Sequence, residues 1–234
     1  MNPSSEVLVS IFLPTRKRTI LLNRAINSIF DTCDKTDLNF EIIIKVDFDD
    51  LETLDYIKSQ QSNFENIKYI VSSRKKGYNS LPEFNKDAGN LSLGKYFMAF
   101  NDDGLFKTQN WNKILKTQLK DFKFYYPNIN GYREAFFIIP TNLKDILGYY
   151  APHAQTDTYI KWLGQVLGIN VYLDNIELWQ DLNLVDNLSK EKDDQKSINL
   201  TNRDFHRTSQ VFKNDIRKLQ SYLNIDVLNP ITEL

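Results

Sequence analysis

The sequence predicts an α/β fold, a mostly parallel central sheet flanked by helices with a smaller region to one side. Three observations carry that expectation. The runs "VLVSIFL" (7–13) and "FEIIIK" (40–45) are nearly continuous, apolar and rich in β-branched residues, as strands buried on both faces are. Stretches with apolar residues at helical spacing alternate with such runs, and parallel neighbours need connections of that kind. Two of the strands stop abruptly on carboxylates, in "KVDFDD" and "FNDDG", at the edge where open α/β sheets place their ligands.

Pro14 ends the first strand. After the basic loop "TRKR", "ILLNRAINSIFDTC" puts Leu22, Ala25, Ile26, Ile29 and Phe30 on one face of an amphipathic helix. The second strand follows, then a helix from Leu51 to Gln61 and a short strand, "IKYIVS". Ser80, Pro82 and Glu83 read as a capping box with proline at the first helical position, so a helix opens there and runs towards Asn90. Lys95 to Phe100 is the fourth strand. Beyond Trp111 the pattern loosens into a helix over 112–119, the aromatic stretch "FKFYYPNINGYREAFFIIP" and a helix over 143–147. Next come a helix from about Thr156 that Gly168 terminates, and the strand "INVYL". The polar segment "SKEKDDQKSINLTNRD" lacks an apolar period and reads as a mobile loop or lid. A last amphipathic helix spans 210–223, where it either covers the core or pairs with a second copy. No internal repeat is visible.

With 234 residues, 41% of them hydrophobic and 13% aromatic, the chain can bury a sizeable core as one folding unit. Its 29 basic and 30 acidic residues nearly cancel, so no global field recommends nucleic acid or an anionic membrane as partner. The single cysteine, Cys33, excludes an internal disulfide and reads as a small buried filler in a reducing compartment. The apolar part of the N-terminus is too short for a signal-peptide core or a spanning helix, so a soluble, cytoplasmic protein is expected.

In a parallel sheet the ends of strands two and four lie on one edge, so Asp47, Asp49, Asp50, Asp102 and Asp103 converge on one crevice. Such a cluster is tolerable if a divalent cation sits there, or if some of the acids cap helices. Asp49 and Asp50 stand just before a helix and read as caps. Asp47 is better placed to meet a ligand hydroxyl or base. Asp102 and Asp103 precede Gly104, so a plain β-turn competes for them, although a turn alone does not require two adjacent like charges. Mg²⁺ or Mn²⁺ completed by water and substrate phosphates would explain the pair, which makes a nucleoside diphosphate the natural substrate fragment. Two basic loops, Arg16, Lys17 and Arg18 after the first strand and Arg74, Lys75 and Lys76 after the third, suit a diphosphate grip.

In this order and spacing, "PTRKR", "VDFDD", "RKKGYNSLPEFNKDAGN" and "GKYFMAFNDDG" with Trp111 shortly after resemble family 2 glycosyltransferases of the GT-A fold, over roughly residues 7–175. The resemblance implies a nucleotide pocket lined by Pro14, Thr15 and Arg16, with Asp47 on the base or ribose and Arg74 and Asn79 also binding the donor. Asn101 to Asp103 match the Asp-x-Asp motif, with Asp103 as the metal ligand and Asp102 nearer the sugar or ribose. The asparagine in the motif's first place departs from the pattern. Asp157 matches the acid that opens a helix and serves inverting members as general base, although next to Thr156 it also suits a helix cap. His206 resembles a late metal-completing histidine, with Arg207 beside it, and His153 is a candidate acceptor contact. The resemblance further implies a GT-A domain over residues 1–208, with its nucleotide-binding half at about 7–110, its acceptor-side half at about 111–208 and a helical appendage at 209–234.

The expected function is transfer of a hexosyl group from a UDP- or GDP-sugar to a glycan or other hydroxyl acceptor, assisted by Mn²⁺ or Mg²⁺. Three alternatives stand beside it. A sugar nucleotidyltransferase shares the architecture but ordinarily has a glycine-rich loop after the first strand, and "FLPTRKRTILL" has no glycine. A degenerate GT-A domain would bind nucleotide or glycan without turnover. A domain using a phosphoaspartate would need a downstream lysine at a strand end, which is not evident. Of the tryptophans, Trp162 reads as core and Trp111 as a residue that stacks on sugar or closes the pocket.

Overall fold

The computed structural model describes residues 6–73, 80–130, 135–180 and 209–225. Among these, eight strands form one mixed sheet in the order β3-β2-β1-β4-β7-β6-β8-β5. The first half reads as expected: β1 (Val9–Pro14), α1 (Thr19–Thr32), β2 (Phe40–Asp47), α2 (Leu51–Asn63), β3 (Ile67–Ser72), α3 (Leu81–Leu91) and β4 (Tyr96–Ala99). β1 pairs in parallel with β2 and β4, and β2 with β3. The chain therefore winds outward from β1 to β3 and crosses back to β4 on the other side of β1. That reversal opens a crevice at the carboxyl ends of β1 and β4, the topological switch point.

Alternation along these strands builds two cores. Ile11, Leu13, Ile42, Ile44 and Val46 face one side and pack with Leu22, Ala25, Ile26, Ile29 and Phe30 of α1, the five residues that the helical spacing selects. Phe12, Ile43 and Phe97 face the other, where Phe84 and Ala88 of α3 cover them. Cys33 is buried in the first core, as expected, and burial raises its thiol pKa. Ser80 precedes α3 as expected, but its backbone is already helical (φ −85°, ψ −10°), not the extended conformation that a capping box requires.

The second half keeps the helices its sequence predicts and departs from its reading in the strands. The aromatic stretch holds β6 (Phe124–Ile129) and β7 (Ile138–Pro140), and β5 (Gly104–Phe106) follows the acidic pair directly. Then come α4 (Trp111–Gln118), between β5 and β6, and α5 (Leu143–Leu147), α6 (Thr156–Leu167), β8 (Asn170–Gln180) and α7 (Gln210–Leu223). β7 runs antiparallel to both β4 and β6, and β5 antiparallel to β8, while β6 and β8 are parallel with a register shift at Pro127/Asn128. Gly168 ends α6 at φ 65°, as expected of a glycine in that left-handed position. α7 lays Phe212, Ile216 and Leu219 into the second core, and its buried Asp215 accepts hydrogen bonds from the Tyr149 and Tyr159 hydroxyls (2.8 and 2.5 Å). The polar segment 189–204 lies outside the described residues.

Candidate active site

The crevice is built by the loop after β1, the turn after β4 and the end of β2. Thr15 continues the β1 ladder by donating its N–H to the Lys45 carbonyl (3.0 Å), and its hydroxyl crosses to β4, donating to Asp102 Oδ2 (2.8 Å). Gly104 N–H donates to the Asn101 carbonyl (3.0 Å), so Asn101 to Gly104 do form a turn, with the two acids at its centre. Turn and acidic site are therefore the same four residues.

Each carboxylate meets a compensating group. Arg18 Nη1 lies 2.9 Å from Asp102 Oδ1, and Nη2 lies 3.9 Å from Asp103 Oδ2. Gln180, at the end of β8, donates to both Asp103 oxygens at 3.4 Å. Arg16 forks onto Asp49 (2.7 and 2.9 Å) and also reaches Asp47 (2.5 Å). The bond between Arg16 and Asp49 depresses the Asp49 pKa to about 2 and raises that of the guanidinium. Asp47 is buried and also holds Lys45, whose ammonium stands over the Phe84 ring, 3.8 Å from its centroid. Asp50 is the helix cap that its position suggests, accepting from Thr53 N–H (3.3 Å) and from Lys17 N–H (2.5 Å), where Lys17 adopts a left-handed φ of 51°. Asp49 instead serves as the partner of Arg16.

Pro14, Thr15, Arg16, Asp47, Asp102 and Asp103 thus come together at one edge. Arg74, Asn79 and His206 lie outside the described residues. Asp157 occupies the second position of α6, behind the cap residue Gln155, and accepts from Thr158 N–H (2.7 Å). α6 starts beside the opening turns of α3, where Asn85 donates to Thr156 Oγ1 (3.1 Å). His153 accepts from Gln155 N–H through Nδ1 (3.2 Å) and meets the Tyr159 ring edge-on. Trp111 corrects an expectation: fully buried between Phe40 and Phe106, it donates its indole N–H to the Ile29 carbonyl (3.1 Å) and cannot stack on a sugar. Trp162 packs against the second core, as read. Lys45 escaped the sequence reading because it stands in a strand read as an apolar run; the acid two residues on was a signal for it.

For a divalent cation the donor set is small. Among the described residues no three of His, Cys, Asp and Glu converge as a metal-binding group. Both Asp102 oxygens are engaged and its side chain is 4% exposed, whereas Asp103 is 18% exposed. One accessible carboxylate fits a cation whose other positions are filled by water and diphosphate, not an all-protein cage.

No curated protein matches this sequence. Residues 10–169 match the family described as glycosyl transferase family 2. Among solved structures, a Staphylococcus aureus TarS fragment, residues 1–349, in complex with UDP-GlcNAc superposes with a TM-score of 0.64 at 14% identity, covering 93% of this chain and 72% of that one. A mannosyltransferase from Pyrobaculum calidifontis in complex with GDP-Man and Mn²⁺ gives 0.63 at 9% identity, covering 94% and 76%. GalNAc-T7 with UDP, GalNAc and Mn²⁺ gives 0.56 at 13%, covering 76% and 44%. Among the described residues no helix is long and apolar enough to cross a membrane. With the family matched over most of its length and the winding and crevice of a GT-A sheet, the chain belongs to glycosyl transferase family 2.

Proposed function

We propose that this chain transfers a hexosyl group from a UDP- or GDP-sugar to a hydroxyl acceptor, such as a glycan, with Mn²⁺ or Mg²⁺ at the diphosphate. The observation that carries the reading is the junction at the switch point, where Thr15 and Arg18 converge on Asp102 and Asp103 in a family 2 chain. The structural neighbours with UDP-GlcNAc and with GDP-Man and Mn²⁺ support that class of donor.

Pro14, Thr15 and Arg16 line the nucleotide side, joined by Arg74 and Asn79. Asp47, whose two oxygens are held by Arg16 and Lys45, is the residue assigned to the base or ribose. Asp103 is the carboxylate for the cation, with His206 as its candidate partner, and Asp102 holds Thr15 and Arg18 beside the ribose or sugar. The cation would supply positive charge to the departing diphosphate. Asp157 takes the proton of the acceptor hydroxyl as its oxygen bonds to the anomeric carbon; the bond from that carbon to the phosphate oxygen breaks, and the nucleoside diphosphate leaves with the electron pair. Direct displacement of this kind inverts the anomeric centre.

A thermal-shift screen of UDP, GDP, CDP and dTDP, each with Mn²⁺ or chelator, tests the donor assignment. A nucleotide at 100 times its Kd stabilises the native state by about 2.7 kcal/mol, a shift of roughly 5–10 °C for a chain of this size. A Mn²⁺-dependent shift with one nucleotide identifies the donor's base; no shift with any of them sinks the donor reading. Donor hydrolysis with Mn²⁺ then separates an enzyme from a domain that only binds.

A further inference from the structure

We infer that Arg18 is an exchangeable internal counter-ion, occupying the acidic pair until a nucleoside diphosphate draws it away, so that the divalent cation enters only with the donor. The inference rests on the reading of this crevice as the donor site. Its observations are the unequal reach of one guanidinium and the different surroundings of the two acids.

Asp102 is nearly excluded from water and is held by Thr15 at 2.8 Å and Arg18 at 2.9 Å, so Arg18 can leave it only as another positive charge takes its place. Asp103 is more open, and Arg18 reaches it with its second nitrogen at only 3.9 Å. A guanidinium lying between the two carboxylates places positive charge beside the oxygen that a metal would take. Cation and guanidinium repel one another, so a metal arriving alone must displace Arg18 or accept its charge as a near neighbour. Arg18 itself caps the start of α1 from a non-helical backbone conformation (φ −133°, ψ 40°) and is 20% exposed, so its side chain emerges from a loop at the crevice mouth. A diphosphate offers that planar fork a second, bidentate anion. Once Arg18 turns to phosphate, its positive charge no longer stands between the two acids and a cation. Metal and nucleotide then raise each other's affinity by one common factor, as linkage requires.

Direct ligation of the metal by the diphosphate also produces such coupling, so the test reads metal affinity without nucleotide. Mn²⁺ binding to the whole chain is measured by the electron paramagnetic resonance signal of free Mn²⁺, with and without UDP or GDP. In the native chain Mn²⁺ affinity is expected to be at least tenfold weaker without the matching nucleotide. Arg18→Gln, whose fold is checked by circular dichroism, should bind Mn²⁺ alone at least tenfold more tightly than the native chain while binding nucleotide more weakly. Arg18→Lys keeps the charge but cannot bridge two carboxylates, and it should fall between them, which carries the test if the glutamine variant does not fold. Equal nucleotide-free Mn²⁺ affinity in the native chain and the folded variants overturns the exchange and leaves the donor reading standing. Nucleotide binding without Mn²⁺ uptake in any protein overturns the exchange together with the metal. No binding of either nucleotide overturns the donor reading itself.

Discussion

The two halves of the sheet stand side by side and are held by different means. From β1 to β4 all strand pairs are parallel, and the loops after β1, β2 and β4 close over one edge with ion pairs joining Arg16, Arg18 and Lys45 to four aspartates. From β5 to β8 most pairs are antiparallel, and the space is filled by rings such as Phe136 against Phe100 and Tyr126 against Tyr172. Parallel strands return every carboxyl end to the same edge, so charge accumulates there. Antiparallel strands send successive ends to opposite edges, and the second half collects no comparable cluster among the described residues.

The sharpest test of this division is Asp157→Asn. If the first half binds the donor and the second supplies the base, transfer should fall by about 10²–10⁴ while nucleotide affinity stays unchanged. Turnover at the native rate would remove Asp157 as base. Next in size is Phe136→Ala. Its ring is fully buried against Phe100, and its loss should cost about 3–5 kcal/mol in urea unfolding. Unlike an exposed ion pair, that cost should not depend on salt; a strong salt dependence would break the contrast between the halves.

Asp103→Ala should cost less in stability than loss of a fully buried ring, since its side chain is 18% exposed, but Mn²⁺ should no longer raise nucleotide affinity. An undiminished Mn²⁺ effect would withdraw the metal from this residue. The smallest effect concerns Asp49, whose folded pKa of about 2 lies below its ordinary 3.8 because Arg16 donates to it. The sign follows from that depression: the pair's contribution is present above pH 3.8 and fades as pH falls through about 2. Carboxyl titration by NMR should show a midpoint near 2 that returns towards 3.8 in Arg16→Ala; an ordinary midpoint in the native chain would dissolve the pair.

The parts of the fold legible from residues alone are those carried by local repetition. The spacing of Leu22, Ala25, Ile26, Ile29 and Phe30 selected the buried face of α1, and Gly168 marked the end of α6. β5 was missed because three residues cannot display a period, and β6 because Pro127 and a register shift interrupt its alternation. β7 was hidden inside an aromatic run that reads equally well as helix or strand. Trp111 misled for a related reason, since an indole near an acidic motif looks the same in sequence whether it faces a ligand or the core.

Local pattern settled that acids would gather at one edge of a parallel sheet and that the basic loop after β1 would stand near them, because the strand ends and the crossover rule depend only on neighbouring residues. Which cation faces which carboxylate was decided by folding. Thr15 and Arg18 meet Asp102 across more than eighty positions of chain, and Gln180 reaches Asp103 from a strand that ends 77 positions later. Contacts that long depend on the order in which strands pair, and pairing is set by burial of both sheet faces at once, a condition that no short window of sequence contains.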